Sequence, residues 1–416
     1  MIERPIYLNK IISKMNNGLI KIITGIRRCG KSYLLFNLFY NYLVEIGVDK
    51  THIITLQLDD RLNIKYRDPD VLCEYIHSLI KDSDNYYILL DEVQYVAEFE
   101  DVLNSFLHIK NADIYVTGSN AKFLSSDIIT EFRGRGDQIH LFPLSFSEYY
   151  GAVNLSFEDA FREYSMFGGM PFLLNYNKSE EKINYLNNLF KETYIKDIVN
   201  RNNVKRTDIL EDILNIISSS IGSLNNPNKL ANVFRSSKNE VVSALTIKQY
   251  LDYCCDSFLI NKAYRYDVKG KKYIETPLKY YFTDLGLRNA RLGFRQYEVN
   301  HIMENIIYNE LLIRGYNVDV GVVTISEKNE NENYVRKQLE IDFVCNKGFE
   351  RVYIQSALNM DSDTKKEQEE RSLINVDDSF KKVIIVKDGI SKYIDDKGVV
   401  VINLKEFLLN ENCFKD

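Results

Sequence analysis

A short run of residues near the start of the sequence carries its clearest chemistry. From Gly25 to Ser32 the chain is Gly-Ile-Arg-Arg-Cys-Gly-Lys-Ser, a complete G-x-x-x-x-G-K-S pattern. Such a loop directs backbone N–H groups and the positive end of a helix dipole at one anionic group, and polyphosphate is the natural occupant. The pattern assigns the Lys31 ammonium to the β- and γ-phosphates and the Ser32 hydroxyl to Mg²⁺. We expect nucleotide contacts from Gly25, Arg28, Cys29, Gly30, Lys31, Ser32 and Tyr33.

Two acidic residues supply the second half of such a site. Asp91 and Glu92 end an apolar run, residues 86–90, whose composition predicts a buried strand. The strand would hold Asp91 at the carboxyl edge of a sheet, where it can bind Mg²⁺ through water. Glu92 then lies close to an attacking water, so we predict that it is the general base. A strand ending in Asp-Glu is common by chance, and the upstream phosphate loop is what favours this interpretation.

Two later loops carry polar residues suited to the γ-phosphate. A predicted strand at 112–117 runs into Gly-Ser-Asn, where Ser119 or Asn120 would sense the phosphate; a polar turn after a core strand is the alternative. Arg133 and Arg135 lie in Phe-Arg-Gly-Arg-Gly and suit stabilisation of transition-state charge, within the chain or from a neighbouring subunit. A solvated basic turn is the alternative there.

The elements that must position these residues follow an α/β order. Residues 19–24 are short, β-branched and bounded by glycines, which predicts a buried strand before the loop. Residues 33–40 lack glycine and proline and predict a helix after it. Further strands are predicted at 53–58, which ends in Asp59 and Asp60, and at 138–142, and helices at 7–15 and 69–80.

Several further motifs, taken in chain order with the phosphate loop, resemble one protein family. They are Leu-Leu-Asp-Glu-Val-Gln, Thr-Gly-Ser-Asn, Gly-Arg-Gly, Phe-Pro-Leu-Ser-Phe-Ser-Glu-Tyr from residue 142, and Phe-Gly-Gly-Met-Pro from residue 167. Over nearly the full length, the chain resembles the bacterial and archaeal AAA-type ATPases, related to the STAND group, whose C-terminal domain has no characterised function. The resemblance implies ATP as the nucleotide, the strand order of additional-strand P-loop ATPases, and oligomerisation. It assigns no biological role.

Composition limits the remaining classes. The chain has 416 residues, 45% of them hydrophobic, which predicts two or three domains. Its net charge of −6 disfavours a surface coated for bulk nucleic-acid binding but leaves a local patch open. The six cysteines lack C-x-x-C spacing and the histidines are dispersed, which argues against a disulfide framework or zinc site and indicates a reducing cytosol. Neither a signal peptide nor a membrane span is predicted.

The middle of the chain predicts helices and then a hairpin. Residues 151–205 are helical, and the resemblance makes them a lid whose closure over the nucleotide would turn hydrolysis into movement. In 206–295, helices at 209–221, 230–234 and 240–255 precede a hairpin of 260–266 with 273–276, which predicts a winged helix. Its local excess of basic residues favours DNA phosphate contact, and a winged helix that serves as a protein spacer is the alternative. The candidate contact residues are Lys248, Lys269, Lys271 and Lys272.

The last segment, 296–416, has the element order of the restriction-endonuclease-like core: a helix, three strands, a helix and further strands. Such nucleases hold Mg²⁺ with a helix glutamate, an aspartate on the second strand and a Glu-x-Lys on the third. Glu304 and Asp342 fit the first two positions, but the third has Gln355 and then Ala357 in place of the lysine. We therefore expect a nuclease-shaped domain with little or no activity. A residual nuclease using Glu304, Asp342 and Gln355 on Mg²⁺ or Mn²⁺ is the alternative.

The combined prediction is an α/β protein with a parallel-sheet P-loop NTPase core of the additional-strand type at 1–150. A helical lid at 151–205, a winged helix at 206–295 and an α/β nuclease-like domain at 296–416 follow. We expect a cytoplasmic ATPase that couples nucleotide state to movement of the later domains. The alternatives are a DNA-binding ATP switch with little turnover and an ATP-gated effector that cleaves nucleic acid.

Overall fold

The computed structural model describes residues 2–118, 134–238, 240–328, 333–389 and 391–414. They form two compact units, Met1–Pro143 and Leu144–Asp416. The first unit lies within the predicted core at 1–150. Within the second unit, the predicted division into lid, winged helix and nuclease-like domain stays a prediction.

The first unit alternates strands and helices as predicted. Its strands are β1 (Ile20–Thr24), β2 (Ile53–Gln57), β3 (Tyr86–Asp91), β4 (Ala112–Thr117) and β5 (Gly136–His140). Its described helices are α1 (Pro5–Ile12), α2 (Lys31–Tyr33), α3 (Tyr40–Glu45), α4 (Pro69–Leu79) and α5 (Phe99–Phe106), with a π-helical segment Leu34–Phe39 between α2 and α3. Short 3₁₀ segments span Lys50–His52, Arg61–Arg67 and Val93–Tyr95.

The five strands form one parallel sheet in the order β2-β3-β4-β1-β5. Strand β4 lies between β1 and β3, which is the additional-strand order that the family resemblance implies. Both β1 and β3 are buried at every position, as expected of strands covered on both faces. Because the strands are parallel, the phosphate loop after β1 and the acids at the end of β3 lie at the same sheet edge.

The second unit begins with helices and continues with a large sheet. Its described helices are α6 (Phe146–Ala152), α7 (Phe157–Phe167), α8 (Ser179–Asn188), α9 (Lys196–Asn202), α10 (Thr207–Ser219), α11 (Pro227–Lys238), α12 (Ala244–Asp256), α13 (Leu285–Arg291), α14 (Val299–Ile313), α15 (Asp363–Ile374) and α16 (Leu404–Leu409). A 3₁₀ segment spans Pro171–Asn175 and a π-helical segment spans Leu189–Ile195. Among the helices described, the structure contains none with the length and apolar character needed to cross a bilayer.

The strands of the second unit all belong to a single nine-stranded sheet. They are β6 (Leu224–Asn225), β7 (Ile260–Asp267), β8 (Lys272–Phe282), β9 (Asn317–Lys328), β10 (Tyr334–Lys347), β11 (Glu350–Ala357), β12 (Lys381–Val386), β13 (Tyr393–Ile394) and β14 (Val400–Asn403). Their order is β13-β14-β12-β11-β10-β9-β7-β8-β6.

The predicted hairpin is therefore not a wing that stands apart from the last segment. Strands β7 and β8 form the hairpin, and β7 also pairs in parallel with β9, with Arg265 opposite Val320 and Tyr266 opposite Gly321. The boundary predicted at 295/296 thus crosses a continuous sheet, because backbone hydrogen bonds join strands on both sides of it. The element order after residue 296 is confirmed, while the winged-helix and nuclease-like identities stay predictions.

Candidate nucleotide site and acidic centre

The phosphate loop is shaped by two glycines that adopt left-handed backbone angles. Gly25 has φ +144° and Gly30 has φ +103°, a region that side chains disfavour. A Cβ on Gly25 would lie 2.2 Å from the carbonyl oxygen of Leu141. That close approach packs the loop against the chain that follows β5, so only glycine fits this position.

Lys31 and Ser32 begin the helical segment that follows the loop. Lys31 is 4% exposed, and its Nζ donates to the carbonyl oxygens of Gly25 at 3.1 Å and Ile26 at 3.3 Å. The ammonium therefore lies over the loop's own backbone. Cys29, also expected at the nucleotide, turns its buried thiol away to donate to the Leu141 carbonyl at 3.4 Å, and burial raises the pKa of this thiol. Any contact from Cys29 must come from its backbone.

The predicted acids at the end of β3 are joined to β4 through one hydroxyl. The Thr117 hydroxyl donates to the Asp91 carboxylate and accepts the backbone N–H of Glu92 at 3.0 Å. Glu92 itself has φ +50°, so the chain turns sharply where the strand ends. Gln94 donates from its side-chain amide to the Glu92 carboxylate. Thr117 thus fixes both acids relative to the neighbouring strand, a role that the sequence did not reveal.

Asp91 is buried, and its environment acts on its pKa in both directions. Burial raises the pKa of this carboxyl above its ordinary value, hydrogen bonds from Thr117 and Ser32 oppose the rise, and the charges of Glu92 and Asp59 add to it. The Ser32 hydroxyl lies near enough to Asp91 to lower the pKa of this carboxyl, so the two predicted magnesium ligands are neighbours. A hydroxyl and a carboxylate are both oxygen ligands of the kind that Mg²⁺ takes, so these residues fit the ion.

A cavity of about 330 Å³ lies at this sheet edge. It is lined by Arg27, Arg28, Gly30, Lys31, Ser32, Tyr33, Asp59, Glu92 and Tyr95. Arg27, Asp59 and Tyr95 were not predicted. The signal for Asp59 was present in the sequence, because it follows a buried strand just as Asp91 does, and parallel strands end at one edge. A volume of this size is at the lower end of small-ligand sites.

The remaining predicted residues of the first unit lie elsewhere. Ser119, Asn120 and Arg133 lie outside the described residues. Arg135 immediately precedes β5, and its carbonyl accepts the N–H of Ile20 at the beginning of β1. Arg135 therefore lies at the sheet edge opposite the phosphate loop, away from the cavity of its own chain. A role at a neighbouring subunit's site stays a prediction.

In the second unit, Glu304 lies on α14, Asp342 on β10 and Gln355 on β11, and both acids are buried. The register of β10 against β9 shifts between Ile341 and Val344, so Asp342 lies at a bulge of the kind that redirects side chains near functional sites. Burial, and then the Glu304 charge, raise the pKa of Asp342 to about 7, against the effects of Lys279 and Ser356.

Glu304, Asp342 and Gln355 make up what we call the acidic centre, and the side-chain oxygen of Gln355 already accepts hydrogen bonds. Gln355 accepts through Oε1 from the Asp342 N–H at 3.4 Å and from the Ser372 hydroxyl at 3.3 Å. Asp342 in turn accepts the Ser356 N–H at 2.8 Å and the Ser356 hydroxyl at 2.7 Å. Lys279, which was not predicted here, places Nζ 2.8 Å from Oε1 of Glu304.

The predicted DNA-contact lysines occupy two places along the hairpin. Lys248 of α12 is one of the residues lining a cavity of about 690 Å³, together with Tyr264 and Tyr273 of the hairpin. Lys269 lies in the hairpin turn, 3.5 Å from the Asp377 carboxylate, and Lys271 and Lys272 beside it are exposed. Lys248 therefore lies beside the cavity, while Lys269, Lys271 and Lys272 lie at or next to the hairpin turn.

Comparisons with known proteins match two parts of the chain to family models. A family model described as an AAA domain matches residues 17–150. A second model, described as a domain of unknown function (DUF8612), matches residues 158–298. An AAA domain is a nucleotide-binding, P-loop ATPase-type domain, and the five-stranded parallel sheet has the fold that it requires.

Two relatives match almost the whole chain. An uncharacterised protein of Haemophilus influenzae is 32% identical over 418 residues, covering 98% of this chain and 99% of its own. An uncharacterised protein of Methanocaldococcus jannaschii is 27% identical, covering 95% of this chain and 88% of its own. The solved structure of the Aeropyrum pernix ORC1 protein in complex with DNA is 10% identical and covers 70% of this chain and 93% of that one. Its TM-score of 0.28 is too low to support a conclusion.

Proposed function

The chain belongs to the same family as the full-length Haemophilus influenzae protein, and we propose that it binds ATP with Mg²⁺ and hydrolyses it at the phosphate-loop edge. The observation that carries this proposal is the 330 Å³ cavity, in which the loop, Lys31, Ser32 and Glu92 face one space. Asp91 is buried close to Ser32, at the end of β3.

Each residue has a role that its position supports. The loop N–H groups and the Lys31 ammonium bind the phosphate oxygens, and Ser32 and Asp91 hold Mg²⁺, which when bound neutralises phosphate charge. Glu92 accepts the proton of the water that attacks the γ-phosphate, so the products are ADP and phosphate. Thr117 orients both acids. Asp59 and Tyr95 complete the wall of the cavity.

We also propose that the nucleotide state alters the second unit, and Arg4 supports a route by which the signal leaves the first unit. The Arg4 guanidinium is buried and donates to the carbonyls of Cys29 at 3.0 Å, Phe142 at 2.8 Å and Pro143 at 3.1 Å. It therefore ties the phosphate loop to the last residues of the unit. A shift of the loop on nucleotide binding would therefore move Phe142 and Pro143, after which the chain continues into the next unit.

ATP binding and turnover by point variants test the proposal. In Lys31→Ala we expect ATP affinity to fall by about 10-fold or more, because a charged contact to phosphate is lost. Glu92→Gln should keep ATP binding but lose about 10²- to 10⁴-fold in turnover, the usual contribution of a general base. Glu98→Gln is the matched control, since Glu98 is exposed and has the same left-handed backbone. Unchanged turnover in both Lys31→Ala and Glu92→Gln would overturn the assignment.

A DNA duplex is the second candidate ligand, favoured by the exposure of Lys248, Lys271 and Lys272. Binding through these lysines should weaken as the salt concentration rises. Each lost phosphate contact should lower the slope of log binding constant against log salt concentration by about one. The test compares the triple alanine variant of these residues with a control triple alanine variant of Lys178, Lys191 and Lys205, which are also exposed. Equal binding by the two triples, or none at low salt, contradicts a DNA contact here.

A further inference from the structure

Lys279 is a buried lysine of the second unit. It lies on one strand, and its ammonium contacts acids from a helix and from another strand. It lies on β8, is 4% exposed, and its Nζ is 2.8 Å from Oε1 of Glu304 and 2.8 Å from Oε1 of Glu340. Glu304 comes from α14 and Glu340 from β10, so the contacts join elements far apart in the chain. The pair with Glu304 is therefore not an ordinary exposed surface ion pair.

The neighbours of Lys279 on β8 show why it faces the acids. Side chains alternate between the faces of a strand, and Leu278 and Tyr280 line the 690 Å³ cavity. Lys279 consequently points to the other face, toward Glu304 of α14. The same carboxylate also accepts the Tyr281 hydroxyl through Oε1, and its Oε2 is 3.8 Å from Nδ1 of His301.

These contacts fall on the residues that the sequence assigned to a divalent metal. A metal ion bound through Oε1 of Glu304 would compete with the Lys279 ammonium and the Tyr281 hydroxyl, from both of which this oxygen accepts. One oxygen of Asp342 likewise accepts two hydrogen bonds from Ser356. Two cations placed against one buried carboxylate repel each other strongly where little water screens them. The residues present therefore do not fit a bound Mg²⁺.

The arrangement of the acids points the same way. A metal ion needs several ligand atoms close together. Among the described residues, one group of three histidine, cysteine or acid side chains has its ligand atoms within 4.8 Å of one another: His52, Asp82 and Asp84 of the first unit. The acids around Lys279 do not form such a group. Instead, Glu304 and Glu340 each place Oε1 2.8 Å from the Lys279 Nζ.

We propose that Lys279 is an internal cation that takes the place of a divalent metal at the Glu304–Asp342 centre and keeps that centre closed to Mg²⁺ and Mn²⁺. The centre then holds β8, α14 and β10 together through charge and has no metal-dependent chemistry. Removing the lysine leaves the buried carboxylates of Glu304 and Asp342 without their nearby cation, which favours uptake of a divalent ion. This inference does not depend on the proposed ATPase function.

Mn²⁺ binding to the full-length, nucleotide-free protein tests the proposal, with electron paramagnetic resonance to count bound ions. We expect Lys279→Ala to bind about one Mn²⁺ more than the wild type, and Lys279→Ala combined with Asp342→Asn to lose it. Lys262→Ala is the matched control, because it removes a lysine of the adjacent strand β7 that pairs with Asp252 of α12. Only Lys279→Ala should gain thermal stability with Mn²⁺, by about 5 °C at a hundredfold excess over Kd.

Two outcomes would overturn the proposal. One is a wild-type protein that binds Mn²⁺ in a way that Asp342→Asn abolishes. The other is a folded Lys279→Ala, judged by circular dichroism, that binds no additional Mn²⁺. Should Lys279→Ala not fold without metal, the conservative variant Lys279→Gln takes its place, with additional Mn²⁺ binding again required and its absence again contradicting the proposal.

Discussion

The two units of this protein each bury a lysine near carboxylates, and the two lysines are held in opposite ways. Lys31 and Lys279 are equally buried, each 4% exposed. The Lys31 ammonium donates to two backbone carbonyls at the edge of a cavity. The Lys279 ammonium donates to Glu304 and lies equally close to Glu340.

The difference lies in what balances each positive charge. Two carbonyl groups accept hydrogen bonds from Lys31, but as neutral dipoles they leave its full charge for an anion. The carboxylates around Lys279 balance its charge, and although burial alone lowers the pKa of this ammonium, Glu304, Asp342 and Glu340 together hold it above its ordinary value. A buried lysine of the first kind is suited to phosphate, and one of the second kind stabilises the fold.

Methionine substitutions separate the two lysines most strongly. Lys279→Met should cost about 3–5 kcal/mol of the free energy of unfolding, since it leaves buried carboxylates without their cation. Lys31→Met should cost about 1 kcal/mol, because it removes only hydrogen bonds to carbonyls beside a cavity that water can enter. Calorimetric melting of both variants measures the difference. Equal losses would show that the partners of the two lysines do not distinguish them.

Asp284 is a third kind of buried charged group, an acid whose charge is stabilised by backbone N–H groups. Asp284 precedes α13 and accepts the N–H of Gly169 at 2.7 Å and of Leu287 at 3.1 Å. Burial raises its pKa to about 6 in spite of these bonds. Between about pH 4 and 6 the folded protein therefore binds a proton that the unfolded chain does not, so this carboxyl makes unfolding easier as the pH rises through that window.

Over that window, Asp284 should lower the free energy of unfolding by at most about 3 kcal/mol. This follows from about 1.4 kcal/mol per unit of pKa difference between the folded and unfolded states. Thermal melting of the wild type and Asp284→Asn at several pH values isolates it. The difference in melting temperature between the two proteins should change between pH 4 and 6 and be constant above pH 7. A constant difference throughout would mean that the folded Asp284 titrates as an ordinary acid.

The smallest expected effect concerns the hydroxyl that fixes the acids of the first unit. Thr117→Val removes the acceptor of the Glu92 N–H and a donor to Asp91. We expect a loss of about 1–2 kcal/mol of stability, since a part-buried N–H loses its partner, and a fall in kcat of about tenfold, because the base is less well oriented. Thr117→Ser keeps the hydroxyl and should restore kcat. A serine variant as impaired as the valine one would indicate a packing role instead.

Much of the first unit could be predicted because its signals are local. The strand before the phosphate loop and the strand that ends at Asp91 were both found from their apolar runs, and they agree with β1 and β3 to within a residue. The position of Arg135 could not be predicted from its glycine-rich sequence neighbours. Its place before a parallel strand puts it at the opposite edge, which follows from strand direction and not from residue type.

The hairpin and the acidic centre show where local signals end. Residues 260–266 and 273–276 predicted the hairpin correctly, but not that β7 pairs with β9 and joins the sheet of the last segment. Lys279 lies just beyond the predicted hairpin strand, before two tyrosines and a phenylalanine, and no role was predicted for it. No local pattern indicates a partner 25 residues away on a helix.

The sequence by itself determined the phosphate loop, since its N–H groups, glycine angles and lysine come from consecutive residues whose geometry the backbone fixes. It also determined which acids end the strand beside it. Only the tertiary structure decided that Thr117 joins those acids and that Lys279 neutralises Glu304. Such contacts depend on which strands are neighbours, in which register, and on which face each side chain lies, and these are properties of the assembled sheet.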